Sequence, residues 1–189
     1  PEMYGRLINH VEDLSAIVEE LRTLALSNAG QLDLQYSRFD LAMEAEAALT
    51  SLEDHFGTAG MTITRQLSSA VISADRSRLR QAFVAVLENC CRYAPQSTVH
   101  VETGVAEHYV FFRCSDTGPG LLEESRKRAF ERFWRADDSR GRSGGGSGLG
   151  LSIVKAIAQA HGGDALIFPS ENPGLAIEIR LPRRVLPAV

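Results

Sequence analysis

The sequence predicts an α/β protein in which amphipathic helices alternate with short strands. Residues 79–90 repeat apolar side chains at the spacing of a helix, and residues 153–161 do so again after a glycine-rich stretch. Between these two helices, residues 109–115 alternate apolar and polar side chains with the period of two that is typical of a strand. Helices and strands therefore interleave along the chain.

Length and composition indicate a soluble globular protein of one domain, or of one domain with an appendage. Its 189 residues are 44% hydrophobic, which is ample for a core, and 23% charged, which is ordinary. A net charge of −4 argues against a general nucleic-acid binder, whose affinity depends on a basic surface. We therefore expect no nucleic-acid partner.

The cysteines, the hydrophobic runs and the start of the sequence give expectations about the cellular compartment and about the length of the whole protein. Cys90, Cys91 and Cys114 are odd in number and lack the spacing of a metal site, so we expect buried thiols in a reducing compartment. No run approaches the roughly 18 apolar residues of a membrane span, and no signal peptide is visible. Because the sequence starts at Pro1 and not at Met, we expect it to be part of a longer protein.

The first element is a helix over residues 6–28 with a heptad pattern. Apolar residues alternate spacings of four and three at Leu7, Val11, Leu14, Val18, Leu21 and Ala25. Ile17 and Leu24 widen the stripe. Such a helix packs either on its own domain or against a partner helix, and the heptad favours the partner.

The elements that follow alternate in type. Residues 31–41 are extended, residues 42–56 form an alanine-rich helix, and two short strands at 61–66 and 70–73 are joined by a polar turn. The next helix begins with Asp75 as its N-cap and is stopped by Pro95. Its buried face consists of Leu79, Ala82, Phe83, Val86 and Cys90.

The second half of the chain continues the alternation. Strands at 98–103 and 109–115 form a pair, and a short charged helix covers residues 123–133. A helix begins at about Gly148 and ends at a Gly-Gly C-cap at 162–163; its apolar face consists of Ile153, Val154, Ile157, Ala158 and His161. Strands at 164–168 and 175–181 complete the chain.

Three polar features stand out against this background. Asn89 and Arg92 share a second face of the Asp75 helix with Ala85, where an amide suits a metal ion and a guanidinium suits a phosphate. The alternative is an ordinary solvated face.

The second feature is Asp116, which continues the core face of its strand and precedes the turn Thr117-Gly118-Pro119-Gly120. The carboxylate either caps its own turn or accepts a hydrogen bond from the exocyclic amino group of a bound base.

The third feature is the glycine-rich loop at residues 141–150, which leads into a helix. Such a loop presents bare N–H groups at a helix N-terminus and is typical of an anion site, although a flexible linker has the same composition. Neither common phosphate-loop spacing is present. Seven cationic residues between Arg126 and Arg142 form either a solvated surface or a mobile lid that closes over phosphates.

The order of these motifs resembles a known family. Asn89, then residues 116–120, then Phe130-Glu131-Arg132-Phe133-Trp134-Arg135, then residues 146–151 resemble the N, G1, F and G2 boxes of the sensor histidine kinase ATP-binding domain. This domain belongs to the GHKL superfamily, which gyrase B, mismatch-repair ATPases and a heat-shock chaperone share more loosely. The resemblance covers residues 31 to about 182.

The resemblance implies a fold and a domain organisation. The fold is a two-layer α/β sandwich (the Bergerat, or GHKL, fold) with a mixed sheet, preceded by one dimerisation-type helix. Residues 1–30 would be a remnant of the dimerisation and phosphotransfer helix, the second helix of its hairpin. Residues 31–189 would be the catalytic domain, with an ATP lid at about 136–147.

The resemblance also implies a role for each matching residue. Asn89 matches the Mg²⁺ ligand, Asp116 the carboxylate that accepts from adenine N6, and Arg135 a lid cation that approaches the γ-phosphate. Asn89 and Arg135 would thus take part in transfer. The other nucleotide contacts are Arg92 near the phosphates, Tyr93 against the adenine, Gly118 and Gly120 giving the base room, Arg132 in the lid, and the phosphate loop Gly146, Ser147, Gly148, Leu149, Gly150 and Leu151.

The implied reaction passes the γ-phosphoryl of Mg²⁺-ATP to a histidine and then to an aspartate of a response regulator. The whole protein would be a homodimeric inner-membrane sensor with this part in the cytoplasm. Two alternatives stay open: a GHKL module that senses nucleotide without efficient transfer, and a GHKL ATPase or anti-sigma-type serine kinase. The intact F box and the heptad helix disfavour the second.

The sequence departs from the family pattern at two points. Ala85 stands where the N box usually carries a second Asn, which would weaken metal coordination or leave more of it to water. No phosphoacceptor motif is present, because residues 19–23 match its core with Glu in place of His and run directly into the catalytic domain. We therefore expect the acceptor histidine upstream of Pro1, and structural or surface roles for His10, His55, His100, His108 and His161.

Overall fold

The computed structural model describes residues 2–136, 147–170 and 173–183, and the side chains of all of these except residues 2–13 and 16. The helices are α1 (Glu2–Asn28), α2 (Leu41–Ser51), α3 (Glu53–Thr58), α4 (Arg76–Tyr93), α5 (Glu123–Arg128) and α6 (Gly150–Ala160). The strands are β1 (Tyr36–Asp40), β2 (Thr62–Leu67), β3 (Val71–Asp75), β4 (Thr98–Val105), β5 (Tyr109–Asp116), β6 (Asp164–Pro169) and β7 (Leu175–Pro182).

A mixed five-stranded sheet in the order β2-β4-β5-β7-β6 forms one layer. β2 runs parallel to β4, and the remaining neighbours are antiparallel. β1 and β3 pair separately as a two-stranded antiparallel ribbon. Helices α2, α4 and α6 pack on one face of the large sheet. The predicted α/β sandwich with a mixed sheet is confirmed.

The core lies between this sheet face and the helices. Alternate residues of the central strands point into it, because Cys114 of β5 lies opposite Val101 of β4 and Ile177 of β7. The rings of Phe83 on α4 and Phe112 on β5 stack at 4.2 Å between centroids, and both side chains are fully buried. The apolar face predicted for each of these elements is therefore the core face.

Asp75 fixes the start of α4 as predicted. Its carboxylate accepts hydrogen bonds from the backbone N–H groups of Arg78 (3.0 Å) and Gln35 (2.9 Å) and from the hydroxyl of Ser77 (2.8 Å). Burial acts to raise the pKa of Asp75, but these hydrogen bonds outweigh it and hold the pKa below its ordinary value. The backbone N–H of Asp75 donates to Nε2 of buried His161 (3.0 Å), which ties the start of α4 to the end of α6.

Two predicted helices differ from the structure. The helix expected over 42–56 is divided into α2 and α3 at Leu52, whose backbone leaves the helical conformation (φ −116°, ψ 10°) while its side chain is buried. The helix expected over 123–133 ends at Arg128, and Phe133 has a left-handed backbone (φ 60°) that no helix accommodates. The predicted short strands form as β2 and β3, and they belong to different sheets.

Helix α1 packs on its own domain, and part of its heptad stripe stays exposed. It ends at Asn28 as predicted and packs on α6 of its own domain, with Thr23 and Leu24 buried. The heptad residues Leu14 and Val18 are 63% and 64% exposed, and Leu21 is also exposed. One side of the helix thus contacts its own domain, and the other side presents an apolar stripe. None of the helices among the described residues is both long and apolar enough to cross a bilayer.

Candidate functional site

Asp116 is the last residue of β5 and is only 7% exposed. Its Oδ1 atom accepts hydrogen bonds from the backbone N–H groups of Gly118 (2.8 Å) and Leu175 (3.4 Å). Burial raises the pKa of Asp116, and these two hydrogen bonds oppose that rise only in part. Among the described residues, both hydrogen bonds to the carboxylate end on Oδ1, which leaves Oδ2 to an incoming donor. The carboxylate therefore caps its own turn, as one of the two alternatives predicted.

The turn after Asp116 depends on close contacts between backbones. A Cβ added to Gly118 would lie 2.5 Å from Cβ of Ala94, and one added to Gly120 (φ +66°) would lie 2.8 Å from the carbonyl oxygen of Gly174. A Cβ on Gly174 would lie only 1.9 Å from the carbonyl oxygen of Asp116. Gly118 and Gly120 are therefore required for packing, whatever room they also give a ligand. Sequence reasoning missed Gly174, for which the Pro-Gly pair at 173–174 is the available signal.

The end of α4 borders this turn. Ala94, the C-cap of α4, contacts Gly118, so exposed Tyr93 and exposed Arg92 lie at the same end of the helix as Asp116. Asn89, one turn earlier, is half-buried. The side chains predicted to meet base and phosphate thus follow one another along the face of α4 that begins beside the Asp116 turn.

A cavity of about 340 Å³ lies farther along the same helix. It is bounded by α1, α4 and α6, and the residues lining it include Glu20, Gln81, Ala85, Glu88 and Ile153. The small side chain at Ala85 leaves this space open. Burial raises the pKa of Glu88, and the negative charge of Glu20 adds to the rise against the opposing charges of Arg92 and His55.

The F-box and G2-box segments are in backbone contact. The N–H of Phe133 donates to the carbonyl oxygen of Gly148 at 2.9 Å. Gly148 has a φ of +71°, and a Cβ there would lie 2.9 Å from Cα of Phe133. Phe133 itself is strained and 63% exposed. This contact holds the base of the glycine-rich segment against the end of the F box.

The described part of the G2 box forms the entry to α6. The N–H of Leu149 donates to Oγ of Ser147 (3.2 Å), and the buried Leu149 carbonyl accepts from Ile153 (3.0 Å) in the first turn of the helix. Gly150 and Leu151 open α6 and are half-buried. Gly146 and most of the predicted lid, residues 137–146, lie outside the described residues.

Helix α1 accepts hydrogen bonds from two side chains that the sequence predicts to bind the nucleotide. The hydroxyl of Ser147 donates to Oε2 of Glu20 at 2.8 Å, and Nη2 of Arg132 donates to Oδ1 of Asn28 at 2.6 Å. Arg135, three residues after Arg132, is also exposed. Glu20 and Asn28 were not predicted, because nothing in a helical repeat indicates which distant loop its polar face contacts.

Two buried thiols lie beneath the site. The sulfur atoms of Cys90 on α4 and Cys114 on β5 are 3.5 Å apart. Their hydrogen bond, followed by burial, raises the pKa of Cys90 well above its ordinary value. Burial, with the neighbouring charges of Cys90 and Glu88, raises the pKa of the half-buried Cys91 to about 11. The predicted buried thiols are confirmed for Cys90 and Cys114.

The residues present fit a Mg²⁺ ion that takes most of its ligands from the phosphates of a bound nucleotide and from water. In the part of the chain that the structure describes, no three His, Cys, Asp or Glu side chains cluster as a metal site. Mg²⁺ commonly takes one or two protein ligands and completes its shell with substrate phosphates and water. A single amide at Asn89, next to the open space at Ala85, fits that mode of binding.

The histidines whose side chains the structure describes lie at the surface or in the core. His161 is buried, and His55, His100 and His108 are exposed.

Comparison with known proteins assigns the family. Residues 74–185 match the family described as histidine kinase-, DNA gyrase B- and HSP90-like ATPase. The signal transduction histidine-protein kinase BaeS of Escherichia coli strain K12 is 33% identical over 184 residues, covering 96% of this chain and 39% of BaeS. The sensor histidine kinase YkoH of Bacillus subtilis is 30% identical over 167 residues, covering 88% of this chain and 36% of YkoH. The chain thus spans well under half the length of these relatives.

A solved structure supports the same assignment. The histidine kinase AdeS of Acinetobacter baumannii superposes with a TM-score of 0.80 at 29% identity, covering 95% of this chain and 83% of that one. The resemblance to the sensor histidine kinases is confirmed. Because the family match covers more than half of its 189 residues, the chain belongs to the histidine kinase-, DNA gyrase B- and HSP90-like ATPase family.

Proposed function

We propose that the chain is the ATP-binding catalytic part of a bacterial sensor histidine kinase, in which residues 31–189 bind ATP and residues 1–30 are the end of a dimerisation helix. The observation that carries the proposal is the Asp116 carboxylate, buried at the end of β5 with Oδ1 held by two backbone N–H groups. A buried acceptor with one oxygen left for a ligand suits the amino group of adenine. Guanine presents a carbonyl there, so ATP would be favoured over GTP.

The adenine would lie between the Asp116 turn and Tyr93, at the end of α4. The phosphates would then extend toward Arg92, Asn89 and the N-terminus of α6, where N–H groups without helical partners favour negative charge. Arg132 and Arg135 would supply further positive charge, and Gly146 would complete the loop with Ser147 to Leu151. Bound Mg²⁺ would neutralise phosphate oxygens, with Asn89 as its protein ligand.

The phosphoryl acceptor would be a histidine upstream of Pro1, and the phosphoryl group would pass from it to the receiver domain of a response regulator. Positioning and charge neutralisation supply most of the catalysis in phosphoryl transfer, so this chain would contribute geometry and not a nucleophile. The exposed stripe of Leu14, Val18 and Leu21 would pair with other helices in a homodimer. By analogy with the family, the whole protein would be an inner-membrane sensor with this part in the cytoplasm.

A second function is favoured by one observation, the open cavity at Ala85. With one amide instead of two, metal coordination would be looser and transfer less efficient. The chain would then act as a nucleotide sensor that binds ATP with little transfer. The two functions differ in how strongly ATP affinity depends on Mg²⁺ and in whether the γ-phosphoryl group is transferred.

The metal dependence of binding should rest on Asn89. Asn89→Ala is expected to remove most of the effect of Mg²⁺ on ATP affinity, because the remaining ligands are water and phosphate. Ala85→Asn should tighten Mg²⁺-dependent binding, because the cavity beside it has room for a second amide. Titration of a fluorescent ATP analogue with and without Mg²⁺ measures both. Full Mg²⁺ dependence in Asn89→Ala would place the metal elsewhere.

Phosphoryl transfer should require a histidine that the 189 residues do not supply. We expect the chain to bind ATP but to take up no acid-labile label from γ-labelled ATP, because no histidine sits in an acceptor motif. A separately supplied helical hairpin carrying the acceptor should become labelled, although weakly, because the covalent linkage that raises effective concentration is lost. Acid-labile label on the chain alone would identify a local acceptor. No label even with the hairpin and Mg²⁺ would favour the nucleotide-sensor function.

A further inference from the structure

Helix α1 occupies two hydrogen-bond donors at the edge of the candidate nucleotide site. The Ser147 hydroxyl, at the entry to α6, donates to the Glu20 carboxylate at 2.8 Å. The Arg132 guanidinium, in the F box, donates to the Asn28 amide oxygen at 2.6 Å. Glu20 and Asn28 lie eight positions apart on one helix, or about 12 Å along its axis. A single rigid element therefore engages both the F box and the G2 box.

The groups that α1 presents have the chemistry of a phosphate. A carboxylate and an amide oxygen both accept hydrogen bonds, as phosphate oxygens do, and the carboxylate carries negative charge as well. Glu20 also lines the cavity beside Ala85, together with Glu88. Two carboxylates at this cavity disfavour an approaching polyphosphate, since the Coulomb energy of like charges at a partly buried position is only partly screened.

The remainder of the α1 contact combines apolar and polar side chains, with Ile17 and Leu24 on the core side. Thr23 is buried and its hydroxyl accepts from Nη1 of Arg78 at 3.1 Å, while Leu24 packs into the core. Glu19 lies near Arg78 and Arg22 at longer range, 3.8 and 3.5 Å. A terminal helix held by this limited set of side chains can leave the domain at a lower cost in free energy than a core helix such as α4. The contact is therefore of a kind that a ligand can displace.

We propose that α1 and the phosphates of ATP compete for the same donors, with Glu20 acting as an internal substitute for phosphate on Ser147 and Asn28 doing so on Arg132. This inference rests on the proposed function, because it takes Ser147 and Arg132 to be nucleotide contacts. Competition makes the two equilibria reciprocal: ATP weakens the docking of α1, and any movement that withdraws α1 tightens the binding of ATP by the same factor. The dimerisation helix would thus set the nucleotide affinity of its own domain.

The test compares Mg²⁺-ATP affinity in four forms of the 189-residue chain. Glu20→Gln keeps the shape and removes the charge, and we expect it to bind ATP about three- to tenfold more tightly, the size for one unit charge at a partly exposed position. Glu20→Ala should bind at least as tightly. Glu19→Gln removes the neighbouring carboxylate, which does not contact Ser147 and approaches Arg78 only at 3.8 Å and half-exposed, so this variant should stay within about twofold of the parent. Calorimetric titration gives these affinities directly.

Hydrogen exchange supplies a readout that does not depend on catalysis. In the parent chain, Mg²⁺-ATP should increase exchange at the backbone amides of residues 17–28, because α1 loses its contacts with Ser147 and Arg132. In Glu20→Ala that exchange should already be raised without nucleotide, and ATP should add little. Circular dichroism and thermal unfolding check that each variant remains folded.

The outcomes separate this inference from the proposed function. ATP binding with equal affinity in all four forms, and with unchanged exchange in α1, would overturn the competition and leave the proposed function standing. Weaker binding in Glu20→Gln would overturn it too, by showing that Glu20 assists the nucleotide. No ATP binding in any form would overturn both.

Discussion

Asp116→Asn should weaken ATP binding by about 1–3 kcal/mol, the cost of mispairing a buried hydrogen-bonding group. The amide that replaces Oδ2 is a donor, so it faces the adenine amino group with the wrong polarity. Oδ1 can stay an acceptor for the N–H groups of Gly118 and Leu175, so the turn should be kept. Titration of a fluorescent ATP analogue against both forms measures the loss. Asp54→Asn, at an exposed carboxylate in α3, is the matched control.

The pH dependence of ATP affinity gives an independent check on the hydrogen bond between Asp116 and adenine. Because burial raises the folded-state pKa of Asp116, its carboxylate gains a proton at a higher pH than an ordinary Asp does. ATP affinity should therefore fall as the pH drops through that raised pKa, and Asp116→Asn should lack this dependence. Stability has the opposite sign: the folded state binds the proton more tightly, so the free energy of unfolding decreases as the pH rises through the window. Unchanged affinity in a folded Asp116→Asn variant would remove Asp116 from the site.

Gly174→Ala should destabilise the domain and disrupt the Asp116 turn. The new Cβ would lie 1.9 Å from the carbonyl oxygen of Asp116 and 3.2 Å from Cα of Thr117, so backbone must move. Overpacking of this kind costs about 1–3 kcal/mol, and contact with backbone places it at the upper end of that range. Because the displaced residue is Asp116 itself, ATP binding should weaken as well. Urea unfolding gives the loss of stability.

Gly57→Ala is the matched control, because the residue is helical and a Cβ there would have no atom within 4 Å beyond its chain neighbours and its own helix backbone. It should be neutral or slightly stabilising, since alanine loses less backbone entropy than glycine on folding. If Gly174→Ala unfolded at the same urea concentration as Gly57→Ala, the close approach of Gly174 to Asp116 would not exist in solution. Unfolding and ATP titration together separate a local effect on the site from a global one.

Features that depend on neighbouring residues could be predicted from the sequence. The period of α4 and its N-cap at Asp75 are local, and so is the alternation that makes Asp116 the next core-facing position after Cys114. The family followed from the order of the motifs, and the comparisons confirm it. The roles of the individual site residues are still predictions.

Features that depend on tertiary contacts could not be predicted. The division of the helix over 42–56 at Leu52 accompanies burial of the Leu52 side chain, and helix propensity carries no information on such a tertiary contact. Gly174 is constrained by Asp116, which is remote in sequence. Glu20 and Ser147 meet only because α1 docks on α6. The polar pattern of α1 is the same whether or not that contact forms.

The paired thiols under the candidate nucleotide site also bear on how the protein would respond to alkylating agents. The thiolate is the reactive form, and a pKa of about 11 leaves roughly one molecule in ten thousand with an ionised Cys91 at pH 7. Cys90 is disfavoured further, because its hydrogen bond to Cys114 and its burial both hold the proton on sulfur. Although three sulfur atoms lie within a few residues of Asn89 and Asp116, the candidate site should therefore resist covalent modification. Inhibitors that act by alkylating a cysteine would find little thiolate to react with at Cys90 and Cys91.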